Sequence, residues 1–600
     1  MEEKKLPWQT YGTPEFWEMK EAVEAIHGQP ILEGLEPLEP WACDPVIDWP
    51  GNEAEGEAGD GADCTDAELD AELNSMLAMV FGEGEEEVAP AEDGAPVQGE
   101  LPWDDPLDYC PVIPGPDEEE YAPVVPQMPI QEREYLAYLE ACVSSHKDNC
   151  AEEGLRILAD GVQVSGDTWK TGLNNNDLII GPTGAGKTRH YIKPNLLQQA
   201  LPREQNAPES FIITDTKGNL RHEVGPVLED NDYELSTIDF TNLARSDIGY
   251  NPLAFVRVDP VTREANEQDV MRIATALCPP STGSDPYWDN SARSLVAAMI
   301  AYTLEWLPPD EQHLGTVHTL VTNAGSNATE EGYLEIVEKR PNCLFVNQFS
   351  AVRAVRDSEK TFSCILGVAA QHLAPFALSS AVEFYQKLWQ VDLKSLGCFP
   401  QALFLTVSDT DRSMDRLVNL LYSQAISELC NYADTKCEGN RLRFPVRMYL
   451  DDFAASAVIP DFDNITSVIR SRGISVSIVL QSITQLSAMY GQDRARTIIN
   501  NCAHILYLGG HDLDTVNYIA SLANCLPDRI LKLPVDSAFL YTEGQGGQQV
   551  RRYPLDQHPL YPQLPEVKKA AEAAEAARRE KELIPQMEQQ IREIQEKWGL

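Results

Sequence analysis

The chain has no cysteine pairing that would hold a metal or a disulfide frame. Its 13 cysteines form no C-x-x-C pair, and the 10 histidines do not cluster beside them. That scatter argues against a zinc frame and fits reduced thiols. Long apolar runs are missing too. The best candidate, Leu295 to Leu307, is shorter than the roughly 18–20 residues a bilayer requires and contains Glu305. Met1-Glu2-Glu3-Lys4-Lys5 is followed by no apolar stretch of the kind a secretory signal carries. These absences lead us to expect a cytoplasmic chain with no transmembrane segment. Positive charge is scarce: Lys and Arg number 46 against 95 Asp and Glu, for a net charge of -49. A broad basic face for nucleic acid is therefore not expected.

The shortage is uneven. Residues 1–130 hold 34 Asp/Glu and only 3 Lys/Arg, in blocks such as Glu83 to Glu87 and Asp117 to Glu120. Proline, glycine and acid leave too little apolar area there to offset chain entropy, so residues 1–130 read as a mostly disordered acidic tail. Glu15–Ile26 and Thr65–Val80 have helical spacing. Trp8, Trp17, Trp41, Trp49 and Trp103 punctuate the tail, either as docking anchors for a partner or as part of a solvated segment.

What is present begins at Leu178-Ile179-Ile180, an apolar strand that runs into Gly181-Pro182-Thr183-Gly184-Ala185-Gly186-Lys187-Thr188. This is a complete G-x-x-x-x-G-K-[ST] loop. Its glycines let backbone N–H groups cradle phosphates, Lys187 reaches the β- and γ-phosphates, and the Thr188 hydroxyl ligates Mg²⁺. Residues Arg189–Leu197 are compatible with the helix that should follow. Further buried strands are expected at Ser210–Thr214, Glu234–Phe240, Ala402–Val407, Val446–Leu450, Val476–Leu480 and Ile505–Leu508. Strands alternating with helices imply an α/β parallel sheet with ligands at the carboxyl ends.

From about Val261 to Trp389 the periodicity is helical, for example at Glu267–Leu277, Asn290–Trp306 and Phe362–His372. The expected organisation is an acidic tail (1–130), a first nucleotide-binding part (131–258), an inserted all-α domain (259–395), a second nucleotide-binding part (396–562) and a C-terminal helical tail (563–600). In the last, Ile584, Met587, Ile591, Ile594 and Trp598 repeat at three-four spacing, with Pro585 as a break.

A phosphate loop alone binds; hydrolysis needs a Mg²⁺-positioning acid and a group that handles water. Val446-Arg447-Met448-Tyr449-Leu450-Asp451-Asp452 is a strand ending in two carboxylates, a Walker B pattern. Asp451 would sit near the metal and Asp452 would face the attacking water. The inserted helices explain why Asp451 lies so far from Lys187. Gln481, at the tip of the next strand, is a candidate γ-phosphate sensor. Arg470 and Arg472 are candidates for stabilising phosphoryl charge from a neighbouring subunit, with ordinary ion pairing as the alternative.

The motifs in order are Gly181–Thr188 with Pro194-Asn195-Leu196-Leu197; Asp215-Thr216-Lys217-Gly218; Asp239-Phe240-Thr241 with Tyr250-Asn251-Pro252-Leu253; Asp285-Pro286-Tyr287-Trp288-Asp289; Ser408-Asp409-Thr410-Asp411-Arg412; Leu450-Asp451-Asp452-Phe453-Ala454; Leu480-Gln481-Ser482; and Asn501-Cys502 with Leu508-Gly509-Gly510. With these, residues 160 to 560 resemble the type IV secretion coupling proteins, the TraG/TraD group of conjugative ATPases, most closely their Gram-positive forms. The resemblance implies a RecA-like P-loop NTPase domain carrying an all-α domain. It also implies six subunits in a ring that receive a relaxase–single-stranded DNA complex and feed it, with ATP and Mg²⁺, to a secretion channel at the membrane. By position it makes Lys187 and Thr188 phosphate and Mg²⁺ ligands, Asp451 the Walker B acid, Gln481 the sensor, and Arg470 or Arg472 an arginine finger.

Two departures stand out. Family members usually begin with transmembrane helices, where this chain has an acidic segment, so its membrane contact is expected to be peripheral, at the inner face. Asp452 stands where many members have glutamate, one methylene longer. Two other classes share part of this pattern: an ATP-binding substrate-docking adaptor with little hydrolysis, and a general DNA-translocating motor.

Overall fold

The computed structural model describes residues 130–145, 151, 153–216, 218–279, 285–451, 458–579 and 590. The acidic segment 1–129 and the heptad-like positions of the C-terminal tail lie outside the described residues.

Eleven strands are described: β1 Leu155–Ala159, β2 Val162–Ser165, β3 Asp177–Ile180, β4 Ser210–Asp215, β5 Glu234–Asp239, β6 Gln401–Thr406, β7 Val446–Leu450, β8 Ile474–Leu480, β9 His504–Tyr507, β10 Ser537–Thr542 and β11 Gly546–Arg551. Strands β1 and β2 pair as a small antiparallel ribbon. The other nine form one sheet in the order β11-β10-β9-β3-β8-β7-β4-β6-β5. From β9 to β5 every pairing is parallel.

The apolar runs explain the sheet. Side chains alternate across a strand, so a strand covered on both faces reads as continuously hydrophobic. Leu178 and Ile180 face one core together with Ile212, Leu403, Met448 and Ile478. Ile179 faces the other, with Phe211, Ile213, Phe404 and Tyr449. Helices Lys193–Gln199 and Leu220–Glu229 cover the second face, and helix Asp415–Lys436 lies on the first.

Between β5 and β6 the described chain is helical: Glu267–Leu277, Pro286–Trp306, Leu314–Thr322, Asn327–Lys339, Leu344–Arg353, Glu359–Leu373 and Ser379–Tyr385. The 21-residue helix Pro286–Trp306 is its axis, with Leu344–Arg353, Glu359–Leu373 and Glu267–Leu277 packed on it. It starts four residues earlier than the periodicity indicates, because the Asp285 carboxylate accepts from Tyr287 N and Pro286 takes the first helical position. Its apolar residues join the core on the Leu178 side of the sheet. Among the described residues, no single helix is long and apolar enough to cross a membrane.

The main difference from the sequence expectation is at one edge. Strand β10 runs antiparallel to β9, and β11 runs antiparallel to β10, so the sheet is mixed rather than purely parallel. The β10–β11 turn uses Gly544 and Gly546 at φ +77° and +79°. Strand β11, Gly546-Gly547-Gln548-Gln549-Val550-Arg551, is polar and largely exposed, so it carries no apolar periodicity. Past the edge hairpin, residues 565–579 form a helix.

Candidate functional site: the carboxyl edge of β3, β8 and β7

In the sheet order, β8 lies between β3 and β7. The register aligns Ile180 with Leu480, and Leu450 with Ile478. The chain therefore leaves three adjacent strands on the same edge, at Gly181, Gln481 and Asp451. This is where an open parallel sheet binds ligands.

Gly184 and Gly186 sit at φ +80° and +81°, the left-handed region that side chains avoid. A Cβ at Gly186 would also meet the His190 ring, at 2.6 Å from Cδ2. The Lys187 ammonium donates to Gly181 O at 2.8 Å, folding its stem across the loop it belongs to. The Thr188 hydroxyl donates to Asp451 Oδ2 at 3.2 Å, although the two are 263 positions apart. Gly181 N donates to Leu480 O at 3.1 Å, fastening the loop to the strand that ends in Gln481. Gln481 N in turn donates to Gln485 Oε1 at 3.1 Å. Asp452 lies outside the described residues, as does Lys217.

The helix after the loop opens with a π-helical turn, Thr188–Ile192, in which Lys193 N reaches back to Thr188 O. The wider turn carries the chain to Pro194, which has no N–H for an α-helical bond. Asn195 is fully buried and exchanges hydrogen bonds with both Ile157 N and Ile157 O, each at 2.8 Å, tying β1 to this helix. Several other motif residues hold turns. The Asp239 carboxylate accepts from Thr241 N, Asn251 Oδ1 from Leu253 N, and Ser408 Oγ from Thr410 N and Asp411 N. Asp215 Oδ2 accepts from Leu220 N at 2.7 Å and secures the helix behind β4.

Arg470 and Arg472 are elsewhere. They precede β8, at the amino end of its seven residues, so about 20 Å of strand separates them from Gln481. Arg470 Nη2 donates to Thr168 O and Gly172 O at 3.2 and 2.9 Å. Arg472 grips Asp434 with both ends of its guanidinium, at 2.7 to 3.0 Å. Within one chain neither meets the phosphate loop.

Two features escaped the sequence reading. The first is a buried charge network beneath the site. Arg156 binds Asp177 through two bonds of 2.6 and 3.0 Å, and Arg447 bridges Glu209, at 3.0 Å, to Asp177, at 3.6 Å. Tyr191, on the π-helical turn, donates to the same Asp177 carboxylate. Burial would raise the Asp177 carboxyl, but Arg156 and then Arg447 outweigh it and hold the group below its ordinary range. The signal was an arginine and an aspartate inside otherwise apolar buried strands, where a charge must find a partner. The second is Arg552, which follows β11 and reaches back to the phosphate loop at Ala185 O, 2.8 Å away.

The fold has counterparts among solved structures. The bacterial conjugative coupling protein TrwB, lacking its N-terminal segment, aligns with 18% identity and a TM-score of 0.50, covering 68% of this chain and 90% of that one. Its trigonal form with sulphate aligns at 17% identity, 68% and 92% coverage, and the same TM-score. A TrwB complex with ADP and Mg²⁺ aligns at 17% identity, with 68% and 91% coverage and a TM-score of 0.50. At these identities the likeness establishes a shared RecA-like fold. No curated protein matches the sequence. Residues 143–523, more than half of the chain, match the family described as Type IV secretory system Conjugative DNA transfer, and the chain belongs to that family.

Proposed function

We propose that the chain is an ATP-driven coupling protein that recruits a relaxase–single-stranded DNA complex to a type IV secretion channel and energises its transfer. The observation that carries the ATPase part is the Thr188–Asp451 hydrogen bond, which joins a phosphate loop to a strand-end acid across the β8 tip. Mg²⁺ is bound by few protein groups plus substrate phosphates, and a hydroxyl and a carboxylate held together suit that demand. When bound, ATP with Mg²⁺ supplies the phosphoryl group whose hydrolysis drives transfer. In this reading the loop amides of Gly181 to Thr188 and the Lys187 ammonium hold the phosphates. Thr188 and Asp451 hold the metal, while Gln481 and Asp452 orient and polarise water.

The position of Arg470 and Arg472 supports a site shared between copies. They are too far from their own loop to assist it, so a finger role requires a neighbouring subunit, as in a six-membered ring. Arg472 is already paired with Asp434, which favours Arg470 for that role. The helical stretch between β5 and β6 is the proposed contact for transfer substrates. Membrane contact would be peripheral, at the inner face and through channel components.

The test is steady-state ATP hydrolysis by the full chain, with and without single-stranded DNA. The expected result is DNA-stimulated turnover that Lys187→Ala abolishes, and capture of a relaxase–DNA complex. No hydrolysis in either condition would remove the motor reading, and capture of protein cargo without turnover would favour an adaptor.

A further inference from the structure

Arg552 lies just past the edge hairpin, yet its side chain points into the middle of the phosphate loop. Its Nε donates to Ser537 O at 2.9 Å, at the start of β10. Its Nη2 donates to Leu508 O at 2.6 Å, just past β9, and its Nη1 to Ala185 O at 2.8 Å. One guanidinium thus joins three segments through three carbonyls, using the planar fork that lysine lacks.

The Ala185 carbonyl is a particular target. The next carbonyl, Gly186 O, is taken by His190 N at 2.8 Å, and Thr188 O is taken by Lys193 N. Ala185 O stands just before that ladder, where Arg552 donates to it. In a trans peptide the C=O and the following N–H point in opposite directions. Holding Ala185 O toward the hairpin therefore turns Gly186 N–H away from it. Donation to the carbonyl also polarises the peptide and strengthens that N–H as a donor.

The following residue adds a second hold. Tyr553 O meets His190 Nδ1 at 2.9 Å, and the His190 ring occupies the place where a Gly186 Cβ would be. Leu508, whose carbonyl Arg552 also binds, packs against the other end of the loop: a Cβ on Gly181 would lie 3.1 Å from Leu508 Cβ. Two consecutive residues hold this part of the chain from behind: Arg552 at Ala185 O, 367 positions away, and Tyr553 through the His190 ring, 363 positions away.

We propose that Arg552 is a positioning residue for nucleotide binding, which sets the Ala185–Gly186 peptide so that its N–H faces the phosphates and couples the β10–β11 hairpin to nucleotide occupancy. This rests on the phosphate-binding reading of the loop. A merely structural staple of the edge hairpin would need only the bond to Ser537 O.

The test is calorimetric titration of the full chain with Mg²⁺-ADP. Wild type is read first, and its failure to bind would overturn the phosphate reading itself. Given binding, Arg552→Ala is expected to weaken it by about tenfold or more, with the melting temperature of the nucleotide-free protein little changed. Guanidinium ions, far below denaturing concentrations, should restore part of the affinity to Arg552→Ala, and sodium chloride at equal ionic strength should not. Wild-type affinity in Arg552→Ala, or a loss that guanidinium does not repair, would overturn the proposal. If Arg552→Ala does not fold, Arg552→Lys decides. Its one nitrogen cannot reach three carbonyls that Arg552 meets with three separate nitrogens, so reduced affinity in the folded variant supports the proposal and wild-type affinity defeats it.

Discussion

The two edges of the central sheet use charge in opposite ways. At the amino edge, Arg156, Asp177, Glu209 and Arg447 are buried and paired with one another. At the carboxyl edge, Lys187, Thr188 and Asp451 are partly exposed and held by loop carbonyls or by each other. Buried charges that lose a partner are costly, so the first cluster is committed to holding strands together. Groups held lightly at an open edge can exchange those contacts for a ligand. Charge density therefore does not mark the proposed nucleotide site; partial exposure at the carboxyl ends of the strands does.

The comparison breaks most visibly at the amino edge. Asp177→Ala leaves the buried Arg156 guanidinium without its carboxylate and Arg447 with Glu209 alone, and should cost about 3–5 kcal/mol of stability in denaturant unfolding. A loss under about 1 kcal/mol would show that the network is not structural. At the carboxyl edge, Lys187→Ala should reduce ATP hydrolysis by about a hundredfold or more while leaving the melting temperature nearly unchanged, because Lys187 is partly exposed and the loop carbonyls it binds lie at an open edge that water reaches. Thr188→Ala should act more mildly. Roughly tenfold more Mg²⁺ would be needed for half-maximal turnover, read from a Mg²⁺ titration at fixed nucleotide.

A last effect is expected on pH dependence. His504 and His558 are both pushed down to about 4, chiefly by burial. The unfolded chain takes up these protons near pH 6.5 and the folded chain only near 4, so stability should fall as pH drops through that window. His504→Gln should flatten the slope of stability between pH 6.5 and 4, with little change above pH 7. An unchanged slope would show that His504 does not titrate as its burial implies.

Much of this was legible in the sequence because buried parallel strands are written as plain apolar runs. Strand β7 occurs where its run of Val446 to Leu450 places it, and β4, β5, β6, β8 and β9 differ by a residue or two. The phosphate loop was legible because glycine spacing and Lys187 carry their own mechanism. The β10–β11 hairpin was not, since half of it is polar and solvated and pairs by backbone alone. Arg552 was illegible for a different reason. Its partners are carbonyls, which every residue has, so only the folded chain reveals which ones it meets. Arg447 could have been flagged: an arginine within a five-residue buried strand must have a carboxylate near it. Arg470 and Arg472 were singled out as candidates for phosphoryl charge from their place between β7 and β8 in the sequence, but only the strand direction shows that they lie at the far end of β8.

That last placement means that the proposed arginine role requires a nucleotide site completed by a second copy of the chain. The direct measurement is ATP hydrolysis by a mixture of Lys187→Ala and Arg470→Ala chains, each folded and each inactive alone. If Arg470 acts across the interface, some mixed contacts pair an intact loop with an intact arginine, and hydrolysis should return to a substantial fraction of the wild-type rate. A mixture that co-assembles yet remains as inactive as its components would contradict a shared site.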